Sequence, residues 1–166
     1  MNFDRIIAVR NDKTVFRDSD RCLKVFNDGY SKADVLNEAL NQARLEETPL
    51  NVPKVLEVTV TDGKWTLVSE YIKGKTLAQM IKDEPDRKDE FITMLVGLQI
   101  ETQQTVCPGL VSLKEKISRN ICKTDLIATM RYDLHMRLEA MHRDNKVCHC
   151  DFEPSNIIIR DDGTPY

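Results

Sequence analysis

Apolar and polar residues alternate in short runs through the first part of the chain and repeat at helical spacing after it. Residues 5–9 (Arg-Ile-Ile-Ala-Val), 14–16 and 21–26 read as strands, with a turn signal at Asn11-Asp12. In the third run Leu23 and Val25 share one face, and Cys22, Lys24 and Phe26 share the other. Asn27-Asp28-Gly29 ends it. A helix is predicted over residues 31–47, with Ser31 as its N-cap and Leu36, Ala39, Leu40 and Ala43 at helical spacing. Residues 55–60 and 65–72 read as a fourth and fifth strand around a Thr61-Asp62-Gly63-Lys64 hairpin turn.

Lys73-Gly74-Lys75 reads as a short exposed connection, after which Thr76 can cap a helix carrying Leu77, Met80 and Ile81. Phe91, Met94, Leu95 and Leu98 then form one helical face. Cys107-Pro108-Gly109 is a break. A short helix is predicted over residues 112–120 and a long one over 124–143. The long helix carries Ile127, Met130, Leu134, Leu138 and Met141 on a single stripe, which reads as core rather than functional surface. The fold class is therefore α+β: a five-stranded antiparallel sheet with one helix, then a mainly helical part. The shift from strands to helices divides the chain into residues 1–72 and 73–166.

Hydrophobic residues make up 41% and charged residues 31% of the 166, enough for a packed core. A net charge of −3 with no basic stripe argues against nucleic acid as a partner. The N-terminus has no apolar signal region and no apolar run reaches membrane length, so neither secretion nor membrane contact is expected. The five cysteines are odd in number and scattered, which suits free thiols in a cytoplasm. Cys148-His149-Cys150 has the look of a metal cluster. It lacks Cys-x-x-Cys spacing, and Cys107 and Cys122 supply no second ligand pair, so no metal is expected there.

The chemistry concentrates near the end, in Val147-Cys148-His149-Cys150-Asp151-Phe152-Glu153-Pro154-Ser155-Asn156-Ile157-Ile158-Ile159. Its spacing is His-x-Asp-x-x-x-x-Asn. A carboxylate can orient a substrate hydroxyl and take its proton as the oxygen attacks phosphorus. An amide oxygen downstream can help hold a magnesium ion without adding a full charge. Pro154 stiffens the turn between them. Apolar strands at residues 146–148 and 157–159 would fix both ends of the loop. Asp, Pro, Ser and Asn are also ordinary turn residues, and that alternative stands beside the chemical one.

Four segments carry a family resemblance: Cys22-Leu23-Lys24-Val25-Phe26, Asn37-Glu38-Ala39, Leu67-Val68-Ser69-Glu70-Tyr71-Ile72-Lys73-Gly74, and Cys148-His149-Cys150-Asp151-Phe152-Glu153-Pro154-Ser155-Asn156. With their order, the chain resembles the aminoglycoside phosphotransferase family, the small-molecule branch of the kinase-like fold. The resemblance implies ATP and Mg2+ as cofactors and a small-molecule hydroxyl as acceptor. It implies that Lys24 holds the α- and β-phosphates and that Glu38 pairs with Lys24. The Glu70 carbonyl and the Ile72 N–H would hydrogen-bond adenine. Asp151 would be the catalytic base, Asn156 a magnesium ligand, and His149 a loop-bracing residue.

The departures from the family are specific. The turn Arg10-Asn11-Asp12-Lys13 has no glycine, unlike the phosphate-covering loop of protein kinases. Glu153 stands where kinases often place Lys and this family His. A carboxylate about 4 Å from a phosphate charge costs about 4 kcal/mol at an effective dielectric of about 20, so Glu153 is expected to point elsewhere. Cys150 stands where the family usually has Gly. The family's second metal-binding Asp, a dozen or so residues past the Asn, has no counterpart before Tyr166. The chain is thus expected to be the first part of a longer phosphotransferase and inactive as 166 residues. A catalytically silent nucleotide-binding module is the second reading, and a protein kinase the third.

Overall fold

The computed structural model describes residues 4–166; residues 1–3 of the expected first lobe lie outside them. Strands β1 (Arg5–Val9), β2 (Lys13–Asp18), β3 (Arg21–Phe26), β4 (Val55–Thr61) and β5 (Lys64–Glu70) form an antiparallel sheet in the order β1-β2-β3-β5-β4. Helix α1 (Lys32–Leu45) connects β3 to β4. The α+β class and the element order are those the sequence predicts. β3 lies at the centre of the sheet because α1 carries the chain past the position that β5 then fills.

Local chemistry explains the boundaries. Ser31 caps α1 in a capping box: its hydroxyl accepts the Asp34 N–H, and the Asp34 carboxylate accepts the Ser31 N–H. Asp62 (φ 49°) and Gly63 (φ 78°) take the left-handed conformations that a two-residue hairpin needs between Thr61 and Lys64. The core of the sheet layer is Phe26, Val35, Ala39 and Leu67, with Tyr30, Val55, Val58 and Trp65 around it. The α1 face that packs is therefore Val35 and Ala39. Leu36 and Leu40 are exposed, a correction to the predicted apolar face. Both pairs fit helical spacing, and the position of Phe26 and Leu67 on the sheet decides between them.

The second part holds α2 (Leu77–Asp83), α3 (Lys88–Gln104), α4 (Leu113–Cys122) and α5 (Ala128–Ala140). The predicted exposed connection is a strand, β6 (Gly74–Thr76), which pairs antiparallel with β7 (Ile158–Arg160). Thr76 then caps α2 by accepting the Gln79 N–H. Leu77, Phe91, Ile157 and Ile159 form a second core, with Phe152, Met94, Leu95 and Leu98 packed against it. The long predicted helix is shorter than expected. Of its stripe only Leu138 is buried; Ile127, Met130, Leu134 and Met141 are exposed, which corrects their placement in the core. Among the described residues α5 packs chiefly on α4, and one short helix cannot cover the whole stripe. No helix among them is long and apolar enough to cross a membrane.

Gly74 is required where β6 meets β7. A Cβ there would lie 2.2 Å from the Ile159 carbonyl oxygen and 2.8 Å from its carbon. Gly74→Ala is expected to destabilise the protein by about 1–3 kcal/mol through forced separation of the two strands. Gly29→Ala, with nothing near its Cβ, should change little. Urea denaturation of the three proteins checks this. Equal midpoints for Gly74→Ala and the parent would contradict it.

Candidate functional site

Lys24 sits in the middle of the central strand, paired with Val15 on β2 and Leu67 on β5. Its side chain leaves the sheet on the α1 side. Its Nζ lies 2.5 Å from Glu38 Oε1, with both side chains about two-thirds buried. The pair spans fourteen residues of sequence. Glu38 follows the capped first turn of α1, and it falls on the sheet-facing side with Val35 and Ala39. Glu38 is thus the α1 carboxylate that meets Lys24. Glu46 instead accepts the Val55 N–H at 2.7 Å.

At the end of β5 the chain is held from two sides. The Glu70 N–H donates to Lys54 O and the Tyr71 N–H to Asp20 O, both at 2.8 Å. The Ile72 side chain is buried, and its N–H has no partner among the described residues. That free donor is the group that the resemblance offers to adenine.

The loop containing Asp151 is fixed at both ends, but not by two strands. Its entrance, residues 146–148, makes only a single bridge, Lys146 with Val106, and the Val147 N–H donates to Thr105 O at 2.9 Å. Val147 is buried beneath it. Its exit is β7, tied to β6, with the Leu77 N–H donating to Ile157 O at 2.9 Å. Between the two, Pro154–Asn156 forms a single 3-10 turn.

Within the loop, Asn156 Nδ2 donates to the Asp151 carbonyl and to Asp151 Oδ2, each at 2.9 Å. Both partners are acceptors, so the amide nitrogen must face them. The amide oxygen then faces outward, free to meet a cation. Asp151 is left with its second carboxylate oxygen open. The Asp151 N–H donates to His149 Nδ1 at 3.3 Å, and the His149 ring meets Phe152 edge-on at 5.5 Å. His149 is thus anchored in the loop, with its other nitrogen carrying the proton. Glu153 is turned to accept the Ser155 hydroxyl. Cys150 has φ 67°, so the loop keeps the left-handed backbone that glycine suits, at a cost of about 1–2 kcal/mol. Burial, then the neighbouring Cys148 sulfur, push the Cys150 thiol above its usual range.

Lys24, Glu38, Glu70 and Ile72 from the sheet side and Asp151 and Asn156 from the loop all line one open cleft. Direct hydrogen bonds join Lys24 to Glu38 and Asn156 to Asp151, and among the described residues none links the first pair to the second. Three features escaped the sequence reading. β6 ties the segment after β5 to the end of the loop. The Cys148 and Cys150 sulfurs are 3.6 Å apart. Asn41, one turn past Glu38 in the same cleft, has a buried Oδ1 without a hydrogen-bond partner among the described residues. Its spacing of three from Glu38 was the available signal. No cluster of three metal-ligating side chains occurs among the described residues.

No family model matches the chain, and no curated protein matches it. It is similar to a solved structure of WbdD in co-crystal with a kinase inhibitor, at 12% identity and a TM-score of 0.42, covering 100% of this chain and 31% of that one. A second similar structure is that of the bifunctional kinase-methyltransferase WbdD, at 16% identity and a TM-score of 0.39, covering 93% and 28%. The chain spans under a third of the length of those two proteins.

Proposed function

We propose that this chain binds ATP with Mg2+ in the cleft and belongs to a phosphotransferase of the aminoglycoside phosphotransferase type, acting on a hydroxyl of a small molecule. The observation that carries the reading is the Lys24–Glu38 pair, 2.5 Å apart, on the same cleft as Asp151 and Asn156. A lysine in a central strand, aimed by a carboxylate from the neighbouring helix, is a fixed cation for two phosphate groups. The Ile72 N–H would meet the adenine ring, together with the carbonyl of Glu70. The outward amide oxygen of Asn156 fits a magnesium ion, an oxygen-seeking cation that keeps several waters. Magnesium, once bound with ATP, would neutralise charge between the phosphates.

The residues of the chain supply position and proton transfer. Asp151, held by Asn156 and by its N–H to His149, presents one free carboxylate oxygen to an incoming hydroxyl. That oxygen would accept the hydroxyl proton as the substrate oxygen attacks phosphorus in line. A second reading, a nucleotide-binding module without turnover, draws on the turn between β1 and β2. That turn closes tightly through Arg10 N–H to Lys13 O at 2.8 Å. It is pinned further by the Tyr30 hydroxyl on the Asp12 carboxylate at 3.1 Å. Asp12 is also met by Lys13 at 3.7 Å, and the turn has no glycine to bring backbone N–H groups close to the phosphates for transfer.

Calorimetric titration with Mg-ATP tests the binding half. Lys24→Ala is expected to weaken affinity about 10–100-fold, the value of a lost charge-assisted hydrogen bond, while the fold survives by circular dichroism. Unchanged affinity in a folded Lys24→Ala protein would defeat the proposal. Phosphate transfer from labelled ATP to a panel of hydroxyl compounds tests the catalytic half. In a longer phosphotransferase containing these 166 residues, Asp151→Asn should lower turnover about 10²–10⁴-fold and leave the KM for ATP nearly unchanged. Nucleotide binding by that longer parent with no transfer to any acceptor would favour the silent module.

A further inference from the structure

Cys148 and Cys150 flank His149, and their sulfurs are 3.6 Å apart. In an extended strand, side chains two residues apart are separated by roughly 7 Å. Here the left-handed turn at Cys150 brings them into contact. Both residues are exposed, so a small solute can reach them. Of the other three cysteines, Cys107 is buried, Cys22 half-buried, and Cys122 contacts His135 at 3.6 Å. Among the described residues, no other two thiols touch each other.

We infer that Cys148 and Cys150 form a reversible disulfide site, closed by a peroxide and opened by a dithiol, that resets the position of Asp151. A disulfide needs the sulfurs at about 2.05 Å, so they must approach by roughly 1.5 Å. Only the backbone of His149 and Cys150 lies between them. The closed ring therefore encloses His149, the residue whose Nδ1 accepts the Asp151 N–H. Drawing the sulfurs together rotates that backbone and pulls His149 off the Asp151 amide. Asp151 then loses one of its three anchors, keeping Asn156 and the Glu153 N–H on its carbonyl.

The chemistry balances with hydrogen peroxide as oxidant. One sulfur attacks a peroxide oxygen, the O–O bond breaks, and a sulfenic acid and water form. The second sulfur attacks the sulfenic sulfur, the S–S bond forms, and a second water leaves with the remaining thiol proton. The pair gives up two electrons and the peroxide takes them. A dithiol reverses the step by exchange. What the shift of Asp151 does to phosphate transfer rests on the proposed function; the disulfide and the shift themselves do not.

The test is peptide mass spectrometry with hydrogen exchange on the full chain, before and after hydrogen peroxide. After peroxide, the peptide covering residues 147–160 should be lighter by two hydrogen atoms and resist alkylation, and dithiothreitol should reverse both. The Asp151 amide should exchange at least several-fold faster in the oxidised form. Cys148→Ser should abolish the loss of hydrogens and the change in exchange. Alkylation of both cysteines after peroxide, conversion of Cys150 to a sulfinic acid, or identical exchange in the two forms would overturn the inference. Mg-ATP affinity of the reduced protein is measured alongside. Absent binding there, with the disulfide and exchange change present, counts against the functional reading alone.

Discussion

The pairing of β6 with β7 is the constraint on which the rest depends. Three residues at the exit of the sheet lock onto three residues at the exit of the Asp151 loop. Gly74 lets the two backbones touch, and Ile157 and Ile159 bury beneath them with Leu77 and Phe91. Each such side chain contributes about 1.5–3 kcal/mol when taken fully from water. A polar loop held to a hydrophobic anchor of that size cannot drift far from the sheet. The entrance is fixed separately, by buried Val147 and its backbone bond to Thr105. Between these fixed points the loop can spend its residues on polar geometry.

The sheet side follows the same logic. Lys24 occupies a position whose neighbours on the strand, Leu23 and Phe26, are buried. A lysine in such a strand costs solvation unless its charge is met. Glu38 meets it, because Ser31 and Asp34 start α1 in a register that puts Val35, Glu38 and Ala39 toward the sheet. The partial exposure of the pair leaves the ammonium open to the cleft while its burial limits its rotamers. A paired lysine from the sheet and a carboxylate–amide pair from the loop are the two poles of the cleft.

Much of this was legible in the residues. Ser31 announced the helix start, Asp62-Gly63 the hairpin, and the apolar alternation all five strands, because each depends on local chemistry. The spacing of Asp151 and Asn156 foretold a shared loop, and their hydrogen bonds occur within it. What escaped depends on tertiary partners. Leu36 and Leu40 fit helical spacing as well as Val35 and Ala39, and only the neighbouring sheet chooses. The α5 stripe was read as core, yet α4 covers one edge of it. Gly74 carried no sign of β7, more than eighty residues away. Cys148 and Cys150 were weighed as metal ligands by their spacing. Their contact arises from a left-handed turn that a cysteine rarely adopts.

The central claim is that the two poles of the cleft hold one metal-bound nucleotide between them. A crystal structure with Mn2+ and a non-hydrolysable ATP analogue tests it most directly, since manganese is located by its anomalous signal. The account predicts a manganese peak at roughly 2.0–2.3 Å from Asn156 Oδ1, phosphate oxygens on Lys24 Nζ, and adenine at the Ile72 N–H. An analogue bound elsewhere, or a cleft holding neither metal nor phosphate at saturating concentrations, would contradict it.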